Sequence, residues 1–251
     1  MKQIFVLIGS RQKNGNTYKF VKSIEERMGN SYVMEYAFPQ DYRIEPCIGC
    51  NTCFSKCKCV ANDELINLQN KILKSDVFVI ASPVYLHYFT ADLKLILDKC
   101  SWWAHTLRLQ GKPTVILSTC NSNGNKTVIK ALGEIITGMG GNIIATSNAA
   151  VIPNQINNEE WLDEVASQIS ERIKEYAELP PQSNKDIEKV FDRMKQVIKL
   201  QREYKTKLGI DPGEYNYWKN MGMLNYQTFS DYLEKKNTGG CYVESEISAA
   251  M

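Results

Sequence analysis

Five of the eight cysteines in this 251-residue chain fall between Cys47 and Cys59, in the run Cys47-Ile-Gly-Cys50-Asn-Thr-Cys53-Phe-Ser-Lys-Cys57-Lys-Cys59. Thiols this close in sequence are suited to three chemistries. Four thiolates from one loop can surround an iron–sulfur cubane, with Gly49 allowing the tight turn. Four can also hold tetrahedral zinc. A pair can cycle between thiol and disulfide beside a redox partner. A disulfide scaffold would scatter its cysteines instead. Cys47, Cys50 and Cys53 start the set, and either Cys57 or Cys59 can complete it. Cys100, Cys120 and Cys241 are isolated, and Cys100 and Cys120 read as packing residues.

A second chemical feature lies at the start of the chain. An apolar run ends at Gly9, and the loop Ser10-Arg11-Gln12-Lys13-Asn14-Gly15-Asn16-Thr17 leads into a helical pattern. N–H groups at a helix start, with the side chains of Ser10, Asn16 and Thr17 and the charge of Arg11, make a phosphate cradle. The loop lacks the Lys-Ser/Thr ending of a triphosphate-binding P-loop and the G-x-G-x-x-G dinucleotide fingerprint, which favours a monophosphate. Two further loops carry compatible chemistry. Ser82-Pro83-Val84-Tyr85-Leu86 offers a compact apolar and aromatic surface to a flat ring. Cys120-Asn121-Ser122-Asn123-Gly124 offers small polar groups to the edge of one.

The elements that must position these loops alternate regularly. Strands are predicted at 2–8, 31–36, 77–81, 114–118 and 142–147, most of them continuous apolar runs of the kind buried on both faces. Helices are predicted at about 17–28, 63–73, around Leu93, Ile96 and Leu97, at 128–139 and at 159–178. Such alternation implies an α/β fold, a doubly wound five-stranded parallel sheet of order 2-1-3-4-5, with ligands at the carboxyl ends of the strands. The loops after the first, third and fourth strands then share one sheet edge.

Leu179-Pro180-Pro181 interrupts the pattern, so the chain divides into residues 1–180, carrying the cysteine-rich loop 47–59, and a C-terminal helical extension, 181–251. In the extension Ile187, Val190, Phe191, Met194, Val197 and Ile198 define an amphipathic helix. Its charges at 185–207 read as a solvated face, and aromatic residues from Tyr215 to Phe229 as packing or an oligomer contact. His87 can line a substrate cavity or cap its own loop, and His105 reads as structural or as part of an interface. Trp102, Trp103, Tyr85 and Tyr88 are candidates for one aromatic wall, although aromatics at these spacings are more often core or dimer contacts.

The set GS-R-x-x-GNT, C-I-G-C-N-x-C, ASPVY and a GK-P strand resembles the NAD(P)H-dependent FMN reductase and iron–sulfur flavoprotein family of the flavodoxin-like superfamily. The resemblance covers roughly residues 1–180. It implies a flavodoxin-like fold and FMN bound by Ser10, Arg11, Asn14, Asn16 and Thr17 around its phosphate. It places the ring against Pro83, Val84, Tyr85 and Leu86, with Asn121, Ser122 and Gly124 at the other edge. It further implies NAD(P)H as co-substrate, homodimers or higher homo-oligomers, and a [4Fe–4S] cluster on Cys47, Cys50, Cys53 and, favoured over Cys57, Cys59.

The expected function is therefore an FMN-dependent oxidoreductase passing electrons from NAD(P)H to a small-molecule or protein acceptor. An electron carrier between ferredoxin-like partners, and a binding module acting through its helical tail, are the alternatives. A net charge of +2 argues against nucleic acid or an anionic membrane as partner. No apolar run approaches the ~20 residues that span a bilayer. With no signal-peptide pattern in MKQIFVLIGSRQKNGNT, the expected setting is cytoplasmic.

Overall fold

Ile4 to Ile8 are all buried, because β1 (Lys2–Ile8) runs through the middle of a layered structure and meets apolar helices on both faces. The computed structural model describes residues 1–238; Cys241 and the rest of the expected extension to 251 lie outside them. In chain order follow α1 (Asn16–Glu25), β2 (Tyr32–Ala37), α2 (Cys53–Lys56), α3 (Leu65–Lys74), β3 (Val77–Pro83), α4 (Ala91–Lys99), α5 (Trp102–Thr106), β4 (Pro113–Cys120), α6 (Asn125–Gly138), β5 (Asn142–Ala150) and α7 (Glu159–Glu178). The five strands pair in parallel in the order β2-β1-β3-β4-β5, as expected from the alternation. The fold is flavodoxin-like.

Two clusters fill the space on either side of the sheet. Phe20, Val21 and Ile24 of α1 and Leu162, Ala166, Ile169 and Ile173 of α7 cover one face. Leu68 and Ile72 of α3, Leu93 and Ile96 of α4, and Val128, Leu132 and Ile136 of α6 cover the other. Helix α1 stops at Glu25 instead of running on to Met28, because the chain turns at Gly29, whose φ of +76° suits glycine. Strand β3 continues through Pro83, where a missing N–H is harmless: β1 pairing has already ended at Ile8 with Ala81.

The extension forms α8 (Lys185–Lys207), α9 (Gly213–Asn220) and α10 (Phe229–Asn237). Asn184 caps α8 by accepting from the N–H groups of Asp186 and Ile187. Phe191, Trp218, Phe229 and Tyr232 build a third cluster, with Phe191 stacked 5.2 Å from Trp218. Leu107 joins that cluster, and Gln110 bonds Tyr217, Tyr232 and Lys236, so the extension packs on α5 and the segment after it. No helix among the described residues is long and apolar enough to cross a membrane.

Trp102 and Trp103 do not form a wall with Tyr85 and Tyr88. The one-turn helix α5 directs both indoles into the second cluster, and the whole of α4 separates them from the Tyr85 turn. His105 is structural as expected: its Nδ1 lies 2.6 Å from Glu214 and its carbonyl accepts the Trp218 indole N–H.

Candidate functional site

The loops after β1, β3 and β4 meet at the carboxyl edge of the sheet. Gly9 continues the strand by donating its N–H to Ala81, and its carbonyl accepts the Thr90 hydroxyl at 2.5 Å. A Cβ at Gly9 would stand 2.9 Å from Leu93, so only glycine lets the chain pass under α4. Ser10 is buried, and its hydroxyl accepts the Gln12 N–H while keeping its own proton to donate. Helix α1 then begins at Asn16 with Gly15 in the N-cap position and no side chain capping it. Its first-turn N–H groups are therefore open to an acceptor from outside.

Asn14 and Asn16 are exposed beside that helix start, and Thr17 is buried. The Thr17 hydroxyl is 2.7 Å from that of Thr119, so the side chain ties α1 to β4 and only its backbone faces the loop. Arg11 makes a bidentate pair with Asp92 in the first turn of α4, both N···O distances being 2.8 Å. The bond to the guanidinium, ahead of its charge alone, holds the Asp92 carboxyl below the usual carboxylate range.

At the end of β3, Val84 donates to Thr119, and Tyr85 and Tyr88 exchange two backbone hydrogen bonds. The two residues between them, Leu86 and His87, both have positive φ, +46° and +62°. Such a tight turn ordinarily takes Asn-Gly, so a Leu-His pair here is held at a conformational cost. Leu86 is 97% exposed and Tyr85 55%. Across from this turn, Gly124 starts α6 with φ +86°, and a Cβ there would lie 2.5 Å from Val84 Cγ1 and 3.2 Å from His87 Cα. Asn121 and Ser122 are exposed beside it. Below this loop, Ser118 Oγ and Asn148 Oδ1 are buried without a partner on adjacent, in-register strands, and Asn148 Nδ2 donates to Cys120 Sγ.

An uncapped helix start, a glycine-lined gap and an exposed apolar turn fit a phosphate joined to a flat ring system. Sequence reasoning missed four contributors. Thr90 and Asp92 were signalled only by their place before and inside the first turn of an apolar-faced helix. Thr119 gave no local signal. The loop after β5 also reaches this edge, where Val151 and Ile152 donate to Cys120 and Asn121.

The cysteine loop is placed elsewhere. It lies over α3 to α5, where Cys53, Phe54, Cys57 and Cys59 pack against the second cluster. Cys47 and Cys50 are exposed, all five thiols are free, and among the described residues no three His, Cys, Asp or Glu side chains stand ready to hold a metal. Burial, then the neighbouring thiols of Cys59, Cys47 and Cys50, raise the pKa of Cys53. Burial, then the charge of Glu214, push Cys57 up to about 12. Bonds from Thr52 lower Cys50 instead.

Residues 2–155 match the family model described as NADPH-dependent FMN reductase. An iron-sulfur flavoprotein of Archaeoglobus fulgidus is 27% identical over 235 residues, covering 89% of this chain and 100% of that protein. Among solved structures, RosB with a bound 8-demethyl-8-formylriboflavin-5'-phosphate intermediate superposes with a TM-score of 0.57 at 16% identity, over 70% of this chain and 79% of its own. An NAD(P)H:quinone oxidoreductase from Methanothermobacter marburgensis gives 0.53 at 12% identity, over 70% and 96%. The two structural likenesses show the fold.

Proposed function

The chain belongs to the NADPH-dependent FMN reductase family, and from that premise we propose that it takes electrons from NAD(P)H and passes them to a small-molecule or protein acceptor, with FMN held at the carboxyl edge of the sheet. The observation that carries this reading is the junction of an uncapped α1 with the exposed Tyr85–Leu86 surface. The helix start offers N–H groups to a phosphate, and the turn offers apolar area that a flat ring would cover.

In this reading Arg11 contributes charge to the phosphate, Asn14 and Asn16 their amides, Ser10 its hydroxyl proton and Thr17 its backbone N–H. Pro83, Val84, Tyr85 and Leu86 line the ring, and Asn121, Ser122 and Gly124 its far edge. Bound there, FMN would supply the hydride-accepting and electron-passing chemistry. The chain's own groups bind, orient and exclude water, and none is asked to act as acid or base. Asp92 competes with the phosphate for Arg11, so it tempers how much charge the cradle presents.

Adding NADH or NADPH to the anaerobic flavin-loaded protein tests the reductase claim. Loss of the flavin absorption with either nucleotide is the expected result, and an unchanged spectrum with both would overturn it. A second reading, an electron carrier with a [4Fe–4S] cluster on Cys47, Cys50, Cys53 and Cys59, is supported by the likeness to the iron-sulfur flavoprotein of Archaeoglobus fulgidus over the whole of that protein.

A further inference from the structure

Helix α2 is a single turn, Cys53–Lys56, and one turn of helix does not persist in water on its own. Its last carbonyls have no partner within the helix, and the extension meets them. Lys205 Nζ of α8 donates to the Phe54 carbonyl at 2.9 Å and lies 3.3 Å from Glu214 Oε2. The Ser55 carbonyl faces Gly213 so closely that a Cβ at Gly213 would stand 1.7 Å from it. Glu214, 2% exposed, is shared between Lys205 and His105, and the His105 ring lies 4.8 Å from that of Phe54. Cys57 follows in left-handed backbone, φ +50°, which turns the chain towards Cys59.

We infer that the helical extension is a clamp on the cysteine loop, in which Gly213, Lys205 and Glu214 are positioning residues that fix α2 and so set where Cys53 and Cys59 stand relative to one another. Cys53 opens the clamped turn, and Cys59 follows its end by three residues. The base of the loop between Glu45 and Asp63 is closed by hydrogen bonds of Arg43 with Glu64 and of Glu45 with Asp63, and its middle packs on the second cluster through Cys53, Phe54, Cys57 and Cys59. The inference deepens the reading of this loop as a thiol or iron centre and rests on it for its meaning, though not for its test.

Hydrogen exchange of the full chain, read by mass spectrometry on peptides covering 51–60, measures the clamp directly. Lys205→Met is expected to speed exchange there about tenfold, the size expected for losing one charged hydrogen bond, with peptides of β1 and β4 unchanged. Lys205→Arg is expected to restore most of the protection. Gly213→Ala is expected to act more strongly, and Lys205→Met serves if that variant does not fold. In parallel, anaerobic reconstitution with ferrous iron and sulfide reads iron per chain. Iron bound by the native chain and lost in Lys205→Met, then regained in Lys205→Arg, supports the clamp as a positioning device. No iron in the native chain, with exchange still responding, sinks the iron reading and leaves the clamp. Unchanged exchange and unchanged iron in both variants overturn the clamp.

Discussion

Asp63→Ala should destabilise the protein by about 3–5 kcal/mol, the usual range when one partner of a buried ion pair is removed. The Asp63 and Lys99 side chains are each 2% exposed and in contact, so the alanine would leave an ammonium buried without its partner. The same carboxylate accepts the N–H groups of Glu45 and Leu65 at 3.1 and 3.2 Å, closing the base of the cysteine loop and capping the start of α3. Urea unfolding of the native chain and the variant measures the difference. Asp63→Leu combined with Lys99→Met should recover much of the loss, because neither charge then remains buried. A single variant within about 0.5 kcal/mol of native would show the pair to be solvated.

Burial alone would raise the Asp63 carboxyl, but the Lys99 side chain and the two backbone N–H groups outweigh it and leave it lowered. A carboxyl lowered in the folded state adds stability that is present above the unfolded value of about 3.9 and lost as pH falls through the folded one. Stability should therefore fall on acidification below about pH 4, and Asp63→Ala should flatten that limb.

Gly124→Ala is expected to weaken FMN binding by at least about tenfold and to cost about 2–3 kcal/mol of stability. Left-handed backbone accounts for roughly 1–2 kcal/mol at a residue with a Cβ, and the overlap with Val84 and the His87 backbone for the rest. The overlap forces apart the two loops that define the gap, which is why affinity falls with stability. Gly29→Ala is the control: its φ is +76°, but a Cβ there meets nothing within 4 Å. It should show the backbone cost alone and bind FMN normally. Equal effects of the two substitutions would remove Gly124 from the site.

The sheet was legible because its strands are buried on both faces, so Val77 to Ala81 and Thr114 to Ser118 appear as unbroken apolar or small runs. Three site loops followed from that order, since strands in parallel must present their carboxyl ends together. What escaped sequence reasoning is contact between distant segments. Arg11 and Asp92 are 81 residues apart, and Thr17 and Thr119 are 102 apart, and neither pair leaves a periodic trace. Helices α2 and α5, of four and five residues, are too short for a helical repeat to be read. Core packing, the more usual fate of aromatics at such spacing, is what α5 gives Trp102 and Trp103 by turning both inward. The extension's dominant helix was legible from Ile187 to Ile198, but its grip on Ser55 through Gly213 was not.

The most direct measurement is a calorimetric titration of the flavin-free protein with FMN and, separately, with riboflavin, which has the same ring and no phosphate. The account predicts one FMN per chain and binding of riboflavin weaker by about two orders of magnitude or more, the worth of one or two charge-assisted hydrogen bonds at the start of α1. Equal affinity for the two would contradict the phosphate cradle, and absence of binding by either would contradict the assignment of this sheet edge to FMN.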